Sequence, residues 1–202
     1  MSSLSAYMPQ DNREVFRKGL KAGLWMDESF DWYPEEDMMS HPGGEIRSLL
    51  QTFTQGKITF SKFTIRNTSF EPKYPKMFFH YENAFEKQAV AFYSPGERAI
   101  LHVATQSIAL LGGVVKGKGI SQYCIQGKGS LYQEGCFKSL KEGILAYSPL
   151  AKGEVTSMFT LETEILPKEC VEVVAWAIHA ETKEEAKLLN HNLLQTMKSG
   201  EN

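Results

Sequence analysis

The sequence predicts an all-β protein: an antiparallel two-layer sandwich that closes with one C-terminal helix. Three observations predict it. Apolar and polar residues alternate with a period of two over most of the chain. The strand-like runs are numerous, short and bounded by turn signals, with no helices interleaved as a parallel α/β sheet would require. Helical periodicity occurs clearly once, near the C-terminus.

The clearest strand runs from Glu154 to Ile165. Val155, Ser157, Phe159, Leu161, Thr163 and Ile165 fall on one face, while Thr156, Met158, Thr160, Glu162 and Glu164 fall on the other. One side is expected to be buried and the other half-wet. Pro167 ends the run, and Cys170 to His179 begins another rich in β-branched and aromatic residues. A hairpin is expected between Leu49 and Asn67 with its turn at Gln55-Gly56-Lys57. Its second arm shifts phase between Ile58/Phe60 and Phe63/Ile65, as a β-bulge would cause. Further strands are expected at Leu20–Met26, Lys76–Tyr81, Gln88–Tyr93, Ala99–Thr105, Ile108–Val115 and Gln122–Ile125. The helix starts with Thr182 and Glu185 as a capping box, carries Ala186, Leu189, Leu193 and Met197 at helical spacing, and stops at Gly200. That stripe must cover something, either the sandwich edge or a following domain.

At 202 residues the chain fits one domain and can bury roughly 70% of the surface its unfolded form exposes. An aromatic content of 11% is ample for a sandwich core. Twenty-two basic against 24 acidic side chains leave a net charge of -2, which argues against nucleic acid as a partner. No apolar run is long enough for a membrane span, since His102, Gln106 and Ser107 interrupt the nearest one, Ile100 to Val115. Met1 to Gln10 lacks the pattern of a signal peptide. Cys124, Cys136 and Cys170 are odd in number and widely spaced. Reduced, buried thiols in a cytoplasmic protein are therefore expected, with no metal site and no cofactor.

Several motifs carry alternative readings. Gly112 to Gly119 (GGVVKGKG) nearly spells a P-loop, but Gly119 stands where the magnesium-binding hydroxyl belongs and no helix follows. A glycine-rich hairpin accounts for it better. His80 and His102 could meet across neighbouring strands and, with a glutamate, transfer protons as a mutarotase- or epimerase-like enzyme would. The competing reading is two structural histidines. Trp25, Asp27, Trp32 and Tyr33, with Glu28, Asp31, Glu35 and Glu36, combine aromatic faces with carboxylates, the composition that grips sugar rings. A strand–turn–strand with core aromatics and solvated acids gives the same composition. The Asn67-Thr68-Ser69 sequon carries no weight without secretion.

Taken in order, four stretches resemble the N-terminal β-sandwich domain of bacterial and archaeal glucoamylase-like enzymes related to glycoside hydrolase family 15. The first is Tyr7-Met-Pro-Gln-Asp-Asn12 followed by Lys21-Ala-Gly-Leu-Trp-Met-Asp-Glu-Ser-Phe-Asp-Trp32. The second is Phe79-His80 through Tyr93, then Ala99-Ile-Leu-His102. Glu134 to Leu145 with Gly153 to Ser157 is the third. The last joins Ala175-Trp-Ala-Ile-His-Ala180 to Thr182 through Asn190. Ser139, Lys141 and Thr156 depart from the acidic residues common at those places.

The resemblance implies a supersandwich, galactose-mutarotase-like or glucodextranase N-terminal-like, over residues 1–180, and an amphipathic linker helix over 181–202. In the family an (α/α)6 barrel follows and supplies both catalytic glutamates, so this chain is expected to hold no catalytic residue of its own. It would be a non-catalytic module of a glucan 1,4-alpha-glucosidase-related hydrolase. The barrel would be its partner in cis or in trans, docked on Leu189, Leu193 and Met197. A free-standing carbohydrate-binding domain using Trp25, Asp27 and Trp32, with an oligosaccharide as ligand, is the alternative reading.

Overall fold

The computed structural model describes residues 19–33, 38–40, 44–82, 87–127 and 135–199. The Tyr7–Asn12 stretch, Glu35, Glu36, His41, Glu134 and Gly200 lie outside the described residues. The strands are β1 (Lys21–Met26), β2 (Ser29–Trp32), β3 (Met38–Ser40), β4 (Ile46–Gln55), β5 (Ile58–Asn67), β6 (Lys76–Glu82), β7 (Ala89–Ser94) and β8 (Ala99–Ala104). After them come β9 (Ile108–Val115), β10 (Tyr123–Gly127), β11 (Phe137–Ser139), β12 (Ile144–Leu145), β13 (Leu150–Gly153), β14 (Val155–Glu162), β15 (Cys170–Ala180) and the helix α1 (Lys183–Ser199).

Thirteen of these strands form two antiparallel sheets, one of five in the order β10-β14-β6-β1-β2 and one of eight in the order β13-β7-β8-β9-β15-β5-β4-β3, while β11 and β12 pair with each other as a separate hairpin. The facing sides of the two sheets enclose the main core. Leu24, Met77, Phe79, Phe159 and Leu161 come from the first sheet; Ile46, Phe63, Ile65, Leu111 and Val173 come from the second. The expected all-β sandwich with a C-terminal helix is the architecture found.

Both sheets are also covered on their outer sides, and this explains where the alternation misleads. The helix lies on the outer face of the eight-stranded sheet. There Ala186, Leu189, Leu193 and Leu194 join Phe60, Leu101, Leu110, Trp176 and Ile178 in a second cluster. A third cluster forms where the segment carrying β11 and β12 covers the five-stranded sheet, burying Phe78, Cys124, Met158, Cys136, Phe137 and Leu145. The face of β14 expected to be half-wet is therefore buried at Thr156, Met158 and Thr160.

The phase change in β5 is not a bulge. The strand pairs without register shift from Ile58↔Gln55 to Asn67↔Ile46 with β4, and again with β15. Ile58 and Phe60 face outward against the helix cluster, Phe63 and Ile65 face inward, and buried Thr59 and Ser61 take the remaining inward positions.

Gly112 and Gly113 sit inside β9, not in a phosphate loop. A Cβ on Gly112 would stand 2.7 Å from Nε1 of Trp176, and one on Gly113 would stand 2.7 Å from Cδ1 of Leu161 in the facing sheet. Lys116 and Gly117 form the left-handed turn that follows, at φ 45° and 70°.

The capping box forms, with the Glu185 amide donating to Thr182 Oγ1 at 3.2 Å. The return bond goes one residue earlier than expected, from the Glu181 amide to Glu185 Oε2 at 3.2 Å. The helix is locked to the sheet at Asn190, whose Oδ1 accepts from Trp176 Nε1 at 3.0 Å while its Nδ2 donates to the Glu97 carbonyl at 2.9 Å. Asn190→Ala would leave the buried indole N–H without an acceptor. The variant is expected to unfold about 1–3 kcal/mol more easily in urea, whereas replacing exposed His191 should leave the midpoint unchanged.

Candidate functional site

Trp25, Phe30 and Trp32 stand together on the outer face of the β1–β2 hairpin, where the register places Trp25 opposite Phe30 and Trp32 opposite Gly23. Gly23 has no side chain because a Cβ would meet the Phe30 ring at 2.7 Å. Trp25 is spent inside the fold. Its Nε1 donates to the carbonyls of Leu140 and Lys141 at 3.1 and 3.2 Å. Gly143, at φ 60°, presses its backbone on the ring, and Lys76 Nζ stands 4.7 Å from the ring centroid. The indole thus pins the β11–β12 turn onto the sheet, in place of the open platform a sugar would need.

Trp32 has a different setting. The Lys21 ammonium lies 4.4 Å from its centroid, the Phe30 ring meets it edge-on at 4.9 Å, and the His80 ring is 6.2 Å away. Asp27 belongs to neither indole. It occupies the tip of the hairpin at φ 50°, exposed, with Oδ2 3.9 Å from Lys73 Nζ.

The two histidines do not meet. β6 and β8 belong to different sheets, and His80 faces outward while His102 faces the core. His80 Nε2 is 2.6 Å from Thr156 Oγ1 and 4.0 Å from Glu82 Oε1. His102 is buried, with Nε2 2.7 Å from Ser157 Oγ and its ring edge-on to Tyr81 at 5.0 Å. Burial first, and the nearby His179 second, push His102 down to about 3. A neutral imidazole beside a serine hydroxyl is the contact of a nucleophile and its base. Ser157 is as buried as His102, however, and Nδ1 has no hydrogen-bond partner among the described residues, so no third group orients the ring. The pair is a buried contact between the two sheets.

Leu189 and Leu193, both half-buried, pack on the chain's own eight-stranded sheet. The stripe rests on the broad outer face of that sheet and not on its edge. Met197 borders a cleft of about 380 Å³ with Val114, Val174 and Thr196. Cys124 and Cys136 are buried, while Cys170 is exposed, against the expectation for it. The hydrogen bond with Cys124, helped by burial, pushes the Cys136 thiol up. No cluster of histidine, cysteine and carboxylate able to hold a metal occurs among the described residues, and no helix among them is long and apolar enough to cross a membrane.

The sequence reading overlooked the exposed aromatics Phe70, Tyr74 and Tyr147. For the first two a signal exists: Ser69 to Pro75 (SFEPKYP) sets Phe70 just before Pro72 and Tyr74 between Pro72 and Pro75, outside any alternating run.

No protein-family model matches the chain, and no curated protein does. Solved structures that match it include a polysaccharide lyase, 10% identical with a TM-score of 0.42. The match covers 82% of this chain and 26% of the lyase, so the chain spans about a quarter of that protein's length.

His102 makes folding sensitive to acid. The unfolded chain protonates this imidazole below its ordinary value of 6.5, whereas the folded chain resists until about 3. Stability is therefore complete above 6.5 and falls through this interval by about 1.4 kcal/mol per pH unit from this group. Urea midpoints followed across the interval are expected to fall more steeply for the parent chain than for His102→Gln. Parallel slopes would mean that the folded protein accepts the proton.

Proposed function

We propose that this chain is a non-catalytic β-sandwich module of a glucoamylase-like glycoside hydrolase acting on α-linked glucosides, working beside an (α/α)6 catalytic domain in cis or in trans. The observation that carries the reading is the placement of the resembling segments. The described parts of the first two lie in the two main sheets, as β1–β2 and β6 to β8; the third supplies the β11–β12 cover with parts of β13 and β14, and the last supplies part of β15 and the helix on its outer face. The free thiols Cys124, Cys136 and Cys170 suit a reducing, cytoplasmic setting.

With Leu189 and Leu193 occupied, contact with a barrel would use the sandwich ends or the Met197 cleft. The isolated chain is expected to release no glucose from maltooligosaccharides or trehalose. Added to a family barrel stripped of its own sandwich, it is expected to form a complex and raise that barrel's hydrolysis. Hydrolysis by the chain alone, or no complex with such a barrel, would overturn the reading.

A further inference from the structure

We propose that the end of the sandwich built from the 67–75 and 163–169 loops binds a neutral oligosaccharide, with Phe70 and Tyr74 as its stacking platforms. Phe70 is 85% exposed, Tyr74 62% and Leu166 51%, and all three lie on this one pair of loops. Exposed apolar residues on a mobile loop would mean little, but these loops are tied down. Lys73 and Ile165 exchange backbone hydrogen bonds at 3.0 and 2.8 Å. Buried Asn67 reaches the carbonyls of Glu71, Ile165 and Leu166 with Nδ2, at 2.7 to 3.2 Å, and its Oδ1 accepts from the amide and hydroxyl of Ser69. That side chain is spent inside the fold, which also removes the sequon as a glycosylation site. The backbones that carry the rings are therefore held in place, a preorganisation that lowers the entropy lost on binding.

The rim decides the class of ligand. Tyr74 Oη donates to Glu164 Oε1 at 2.8 Å, and Lys168 Nζ stands 3.7 Å from the Phe70 centroid. Lys73 pairs with Glu45 and lies 3.9 Å from Asp27. A nucleic acid would meet Asp27, Glu45, Glu71 and Glu164, and a wholly apolar partner would strip water from these charges without replacing it. A sugar has a C–H face for the rings and hydroxyls for both carboxylates and ammonium groups. Of the residues the sequence marked for sugar contact, Asp27 alone is at this end.

The choice of an α-glucan as probe rests on the proposed hydrolase context, whereas the site itself rests on the loops. Maltoheptaose titrated into the full chain is expected to give saturable shifts of the backbone amides in both loops and at Asp27. Phe70→Ala and Tyr74→Ala should each weaken binding on the order of tenfold, and Phe70→Tyr should retain it. Both rings are exposed, so urea midpoints should not move. No saturable shift up to tens of millimolar sugar would overturn the site. So would shifts confined to the Trp32–His80 face, or a self-association abolished by Phe70→Ala without any sugar binding. Association with a barrel in the absence of sugar binding would sink the site and spare the hydrolase reading; the reverse pair of results would do the opposite.

Discussion

The indole of Trp176, laid over the bare backbone of Gly112 and hydrogen-bonded to Asn190, is the contact on which the outer half of the molecule depends. β15 is a central strand buried on both faces, so its outward side chains need a cover. Trp176 is too large to lie flat on a strand whose neighbour carries a Cβ, and Gly112 supplies the space. The next residue, Gly113, opens the same strand toward Leu161 on the other side. β9 thus touches both the helix on one side and β14 of the five-stranded sheet on the other. Steric need at two successive positions, each facing a different layer, explains the paired glycines without any ligand.

The five-stranded sheet solves the same problem with a segment poor in regular structure. Residues 135–148 lie across its outer face, and Trp25 fixes them by giving its one donor to two carbonyls of the turn. Lys76 adds bonds to the carbonyls of Glu142 and Gly143 at 3.0 Å each. With a cover on each outer face, the aromatic residues most conspicuous in the sequence become packing material. Ligands must then be met largely where loops turn at the ends of the sandwich, as rigid scaffolds commonly arrange it.

This layering also decides what was legible beforehand. Alternation depends on a strand's own backbone, so β9 was read at its observed bounds and β6 and β15 to within one residue at one end. β2, β3 and β11 to β13 are two to four residues long, too short for a period to register. Alternation assigns a residue to a face but does not say which sheet the strand joins. His80 and His102 were paired for that reason, although β6 lies between β14 and β1 while β8 lies between β7 and β9. Nor does it reveal a second cover, so Met158 and Thr160 looked solvated. The helix was plain from its cap and stripe. Its resting place was not, because an apolar stripe records how much must be buried and nothing about against what.

The buried polar residues show why an interior resembling a catalytic pair need not be one. Ser157 and His102 touch across the two sheets, and Tyr81 stands between the rings of His102 and His179, at 5.0 and 6.0 Å. Burial raises the Tyr81 hydroxyl and lowers His102, so both are held neutral. Neutral partners in a dry layer gain most from hydrogen bonds and have least reason to exchange protons. Catalysis would also require a path for substrate and an orienting acid; His102 is buried, and its Nδ1 meets no acid among the described residues. Charged groups that a ligand can reach, such as Asp27 and Glu164, stay at the rim where water already reaches them.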